Sequence, residues 1–115
     1  MSRKEYKVTV YDADGKAVAR VCYNNNLDFW DGRNWTCGAL GRHKGLTRLR
    51  DGRYVLIHGT DWMGERDWAE VISPKEALYQ VLKSGNTYLL DMKKFKDLKA
   101  LYDEDLVKEY EEDAP

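Results

Sequence analysis

The chain has 115 residues, 43% of them hydrophobic and 34% charged, with two prolines and a net charge of −1. That is material for one core rather than two, which argues for a single domain over residues 1–115, while plentiful aromatics and scarce proline exclude wholesale disorder. No apolar run approaches the roughly 20 residues that span a bilayer, and the N-terminus lacks the apolar segment of a signal peptide, so the expected location is cytoplasmic.

Three Asp-Gly pairs, Asp14-Gly15, Asp31-Gly32 and Asp51-Gly52, separate stretches rich in Val, Ile, Leu, Tyr and Trp. Each predicts a hairpin, because a tight turn needs positive φ, which Gly adopts freely and Asp tolerates. Lys7–Tyr11 and Ala17–Tyr23 form the first, with Val8 and Val10 on one face and Ala19, Val21 and Tyr23 on one face of its partner. Leu27–Trp30 and Arg33–Thr36 form a short aromatic second. Gly38–Gly45, with three glycines in eight residues, reads as a mobile loop. Leu46–Arg50 and Arg53–His58 form the third hairpin, expected at the sheet centre because the second arm is almost wholly β-branched, aromatic or aliphatic, with Asp67–Ile72 pairing beside it.

Ser73-Pro74-Lys75-Glu76 is a helix start: Ser as N-cap, Pro at the first position, Glu placed to close a capping box. Ala77, Leu78, Val81 and Leu82 form the apolar stripe, and Ser84-Gly85 stops the helix. Met92, Phe95, Leu98 and Leu101 recur every third residue and predict a second helix; Leu106, Val107 and Tyr110 suggest a third. The expectation is an α+β fold: an antiparallel sheet of about five to seven short strands in three hairpins over residues 1–72, two or three C-terminal helices on one face over residues 73–110, and a frayed acidic tail at 111–115.

Catalytic signatures are weak. Asp12, Asp14 and Gly15 resemble a calcium loop only at the start, since Tyr23 stands where the bidentate acid belongs. Cys22, Cys37, His43 and His58 lack the local spacing of a zinc site, so no metal and no cofactor is expected. Gly38, Gly41 and Gly45 lack the Gly-Lys-Ser/Thr ending of a phosphate loop. Two arrangements remain of interest: Cys37 beside the basic loop could pair with His43 or His58 as a nucleophile, and His58, Asp61 and Glu65 could meet for acid-base work.

Charge is unevenly distributed: residues 1–60 hold 11 Lys/Arg against 6 Asp/Glu, and residues 61–115 hold 8 against 14. Trp35, Arg42, His43, Lys44, Arg48 and Arg50 form a basic-aromatic segment within 33–53, the pattern that neutralises phosphates and stacks on bases. Asp103, Glu104, Asp105, Glu109, Glu111, Glu112 and Asp113 form an acidic pole able to occupy a phosphate-binding groove as a decoy. Four tryptophans exceed what so small a core can bury, and Trp and Arg are the residues most enriched at interface hot spots, which singles out Trp62 and Arg66 as further anchors. The leading expectation is a small non-enzymatic protein-binding module, in its most specific form a phage or mobile-element inhibitor of a nucleic-acid-handling host defence enzyme such as a CRISPR nuclease. The alternatives are a nucleic-acid-binding accessory or regulatory domain using 33–53, and a small cysteine-dependent enzyme.

Overall fold

A computed structural model describes the backbone of residues 6–113 and the side chains of residues 6–104. In chain order the elements are β1 (Lys7–Tyr11), β2 (Ala17–Cys22), β3 (Phe29–Trp30), β4 (Trp35–Thr36), β5 (Arg42–Arg48), β6 (Tyr54–Thr60), β7 (Trp68–Ile72), α1 (Pro74–Ser84), short 3-10 turns at Thr87–Asp91 and Lys93–Phe95, and α2 (Lys96–Asp113). The α+β class holds, with five strands in the order β2-β1-β7-β6-β5 and β3-β4 as a separate two-stranded ribbon.

The sheet is mixed rather than antiparallel, because β1 pairs in parallel with β7 through Val10 opposite Ala69 and Tyr11 opposite Glu70. This pairing also corrects the expected centre: β7 takes it, and the third hairpin, β5-β6, lies to one side with β5 outermost. The predicted loop is shorter than expected too, since Arg42–Arg48 is strand, paired from Arg42 opposite Thr60 to Arg48 opposite Tyr54.

The near-continuous apolar run in β6 reflects cover on both faces. Tyr54 and Leu56 join Leu46, α1, the 3-10 turns and Phe95 and Leu98 in one buried cluster, whereas Val55 and Ile57 join Val8, Val10 and Ala69 in another. The second cluster is roofed by the chain leaving β2. Tyr23 lies over Gly59, where an added Cβ would sit 2.9 Å from its ring, and Asn24 lies over Gly45, where a Cβ would sit 2.7 Å from its carbonyl carbon. The same segment then bonds to the outer edge of β5: Leu27 N–H donates to the Lys44 carbonyl (3.0 Å), and Asn26 accepts from Leu46 N–H (2.8 Å) while donating to the Leu46 carbonyl (3.0 Å). An edge strand that would invite foreign pairing is thereby occupied.

Helix α1 begins as its sequence dictates, with the Ser73 hydroxyl accepting from Glu76 N–H at 3.1 Å and Gly85 closing it at φ 78°. The capping box is only half formed, because the Glu76 carboxylate accepts from Gln80 instead (2.7 Å). Ser73→Ala should therefore lower stability by about 1 kcal/mol, read from urea unfolding; an unchanged midpoint would show the cap to be dispensable. Ala77, Leu78 and Val81 are buried, but Leu82, expected in the stripe, is exposed. The three-residue recurrence begun by Met92 and Phe95 belongs first to 3-10 geometry and then to α2, which is continuous to Asp113 in place of two separate helices. Residues 111–113 of the expected frayed tail are thus helical, and residues 114 and 115 lie outside the described residues.

Candidate functional site

The start of β5 gathers the densest polar network. Asp28, in the segment crossing to β3, is only 6% exposed. Its carboxylate meets His43 Nδ1 at 2.5 Å and accepts from Lys44 N–H at 3.0 Å. His43 Nε2 reaches Asp61, beyond β6, at 2.8 Å, so one imidazole ties two carboxylates from distant parts of the chain. Burial alone pushes the imidazole down, but hydrogen bonds to Asp61 and Asp28 and their negative charge outweigh it, and the His43 pKa lies above its ordinary 6.5. Next to it, Arg42 makes a two-pronged ion pair with Glu65, which also accepts from Thr60 at 2.8 Å. The guanidinium holds the Glu65 carboxyl below the usual carboxylate range.

Beside this network lies a cleft of about 160 Å³ lined in part by Cys37, Lys44, His58, Thr60, Arg66 and Trp68. His58 stacks on Trp68 with ring centroids 4.3 Å apart and bonds to Glu70 at 2.6 Å. The anticipated trio of His58, Asp61 and Glu65 is therefore divided: each member has a different partner, Glu70, His43 and Arg42 respectively. Cys37 shares the cleft with both histidines, yet burial pushes its thiol up from the ordinary value, away from the thiolate a nucleophile requires. Both cysteines are free thiols.

Half of the Lys and Arg residues of the basic segment, Arg42, Arg48 and Arg53, are neutralised within the fold. Arg48 donates to the Gly52 carbonyl (3.0 Å), pairs with Asp97 (2.8 Å) and covers the Tyr54 ring at 4.8 Å, so it clamps the β5-β6 hairpin to α2. Arg53 pairs with Asp51 at 2.9 Å. Among the described residues, Arg33, Lys44, Arg50 and Arg66 have no ion pair. Of the acidic pole, Asp103 and Glu104 are exposed, with Lys99 3.9 Å from Asp103; the side chains of Asp105, Glu109, Glu111, Glu112 and Asp113 lie outside the described residues.

The aromatic surface is extensive. Trp30, Trp35, Trp62 and Trp68 are each between 42% and 60% exposed, and Met63 beside Trp62 is fully exposed. Trp30 and Trp35 face each other across the β3-β4 ribbon at 5.8 Å and 56°, so they pack together and still present more than half their surface to solvent. Trp62 rests against Gly41, where a Cβ would lie 2.7 Å from the indole nitrogen. A second, larger groove of about 460 Å³ runs between Trp35 and Tyr88, floored by Asn24, Asn25, Asn26 and Asn86. Asn86 holds that floor together by donating to the carbonyls of Asn26 (3.0 Å) and Asp28 (2.7 Å).

Sequence reasoning missed Asp28, Asn86 and Tyr88. Asp28 carried a signal, a lone carboxylate between Leu27 and Phe29 in an apolar stretch; Asn86 and Tyr88 follow the α1 stop with no pattern that points to a groove. No group of three or more His, Cys, Asp or Glu that could hold a metal ion occurs among the described residues, and no helix among them is long and apolar enough to cross a membrane. Compared with known proteins, the chain matches no protein-family model, no curated protein and no solved structure.

Proposed function

We propose that this chain is a non-enzymatic protein-binding module that grips a macromolecular partner through its indoles. The observation that carries the reading is that all four tryptophans stand 42–60% exposed while both buried clusters are completed without them. Indoles left in water contribute little to folding, whereas at an interface each buries a large area with one directional donor. Arg66, without an ion pair, is in the same β6-β7 connection as Trp62 and adds a cation to that surface. The more specific form is an inhibitor of a nucleic-acid-handling enzyme, of the kind phages and mobile elements direct against CRISPR nucleases, acting by steric blockade or charge mimicry. Support for it comes from the acidic pole on α2, where Asp103 and Glu104 are exposed.

Internal pairing of Arg42, Arg48 and Arg53 favours a protein partner over nucleic acid, because cations already paired release fewer counterions from a phosphate backbone. The raised Cys37 thiol weighs against cysteine catalysis. The test is affinity capture from a host lysate with wild type and with the Trp62→Ala, Arg66→Ala double variant, each verified as folded by circular dichroism. A specific protein should be retained by wild type and reduced about tenfold or more in the variant, the loss typical of a hot-spot pair. Equal recovery by both, or capture of nucleic acid alone with steep salt dependence, would overturn the reading.

A further inference from the structure

Resting on that reading and naming the partner's chemistry, we infer that the groove between Trp35 and Tyr88 is a docking site for a proline-rich segment of the partner in polyproline II conformation. Its volume, about 460 Å³, lies within the roughly 300–1,000 Å³ of sites that enclose small ligands or short peptide stretches. Two aromatic rings, each 60% exposed, form its sides. Trp35 is buttressed by Trp30 at 5.8 Å, so a flat surface is available without ordering a free side chain.

The hydrogen-bonding inventory selects among possible occupants. Most side-chain acceptors on the floor are already engaged: Asn24 Oδ1 accepts from Asn26 N–H, Asn26 Oδ1 from Leu46 N–H, and the Asp28 carboxylate from Lys44 N–H and His43. The Trp35 indole N–H, the Tyr88 hydroxyl and the Asn25 amide have no described hydrogen bond and can donate. A groove with open donors, few open side-chain acceptors (Asn25 Oδ1 and Asn86 Oδ1) and aromatic walls complements a ligand rich in acceptors and poor in donors. Polyproline II matches this, since prolines lack N–H groups, leave their carbonyls without internal partners, and stack their rings on aromatic faces at little entropic cost. Lysine and arginine are absent from the described lining, which disfavours a phosphate-bearing strand.

The test titrates decaproline, a length-matched Gly-Ser peptide and a neutral oligosaccharide into the full chain, followed by amide and indole NMR shifts. Saturable binding of decaproline alone is expected, with shifts at the Trp35 indole and at Asn25. Affinity should fall about tenfold or more in Trp35→Ala and in Tyr88→Ala, each verified as folded, and remain unchanged in Tyr79→Ala, an exposed aromatic on α1 outside the groove. No decaproline binding, or equal binding of the Gly-Ser peptide, or binding of the oligosaccharide in its place, would overturn the inference. Loss of this inference leaves the protein-binding reading intact if lysate capture still depends on Trp62 and Arg66, and the two failures are thereby distinguished.

Discussion

Gly45→Ala is expected to destabilise the fold by about 3 kcal/mol, lowering Tm by roughly 15 °C. The position lies in mid-strand opposite Ile57 and needs glycine for space. A Cβ there would collide with both oxygens of Asn24 and stand 2.7 Å from its carbonyl carbon. Backbone cannot rotate aside as a side chain can. Moving Asn24 would disturb the three hydrogen bonds by which Asn26 and Leu27 hold the β5 edge, each contributing roughly 1 kcal/mol, and would uncover Val55 and Ile57 beneath. Gly59→Ala provides the contrast. The three atoms nearest its Cβ would all belong to the Tyr23 side chain, which can tilt, so a smaller loss of about 1 kcal/mol is expected. Urea unfolding of both variants beside wild type reads the difference; a Gly45→Ala midpoint at the wild-type value would show that the crossing segment is not a rigid roof.

That roof explains why only part of the fold was legible. Local chemistry could be read directly: Gly15, Gly32 and Gly52 all adopt positive φ at the three Asp-Gly turns, and Ser73 caps α1. The parallel pairing of Val10 with Ala69 joins residues far apart in sequence through backbone atoms, and backbone pairing leaves no local pattern. Gly45 was misread for a related reason, because a glycine that admits a crossing chain looks in sequence like one that loosens a loop. At the candidate site, His43 stood out by type, whereas its partners Asp28 and Asp61 become partners only once the crossing segment and the end of β6 converge. Trp62 and Trp35 could be singled out as surplus to a small core, but the groove beside Trp35 depends on Tyr88 arriving on a 3-10 turn that the spacing of Met92 and Phe95 did not foretell.

The convergence at His43 sets the second large effect. Asp28→Ala should cost about 3 kcal/mol, because it removes a buried carboxylate and leaves Nδ1 of the part-buried His43 imidazole and the Lys44 N–H unsatisfied together, with only Asp61 still holding the ring. Asp28→Asn, which keeps an acceptor for Lys44 N–H, should lose less. The same contacts make stability depend on pH in a defined direction. With its folded-state pKa raised above 6.5, His43 binds its proton more tightly in the native chain than in the unfolded one. Its contribution is then fully present below the unfolded value and fades as pH rises through the folded value. Wild-type unfolding free energy should accordingly decline from about pH 6 upward until His43 is neutral, and the portion of that slope due to His43 should vanish in His43→Gln. Parallel denaturation curves at several pH values decide it: an identical pH dependence in wild type and His43→Gln would mean that Asp28 and Asp61 hold the neutral imidazole as well as the charged one.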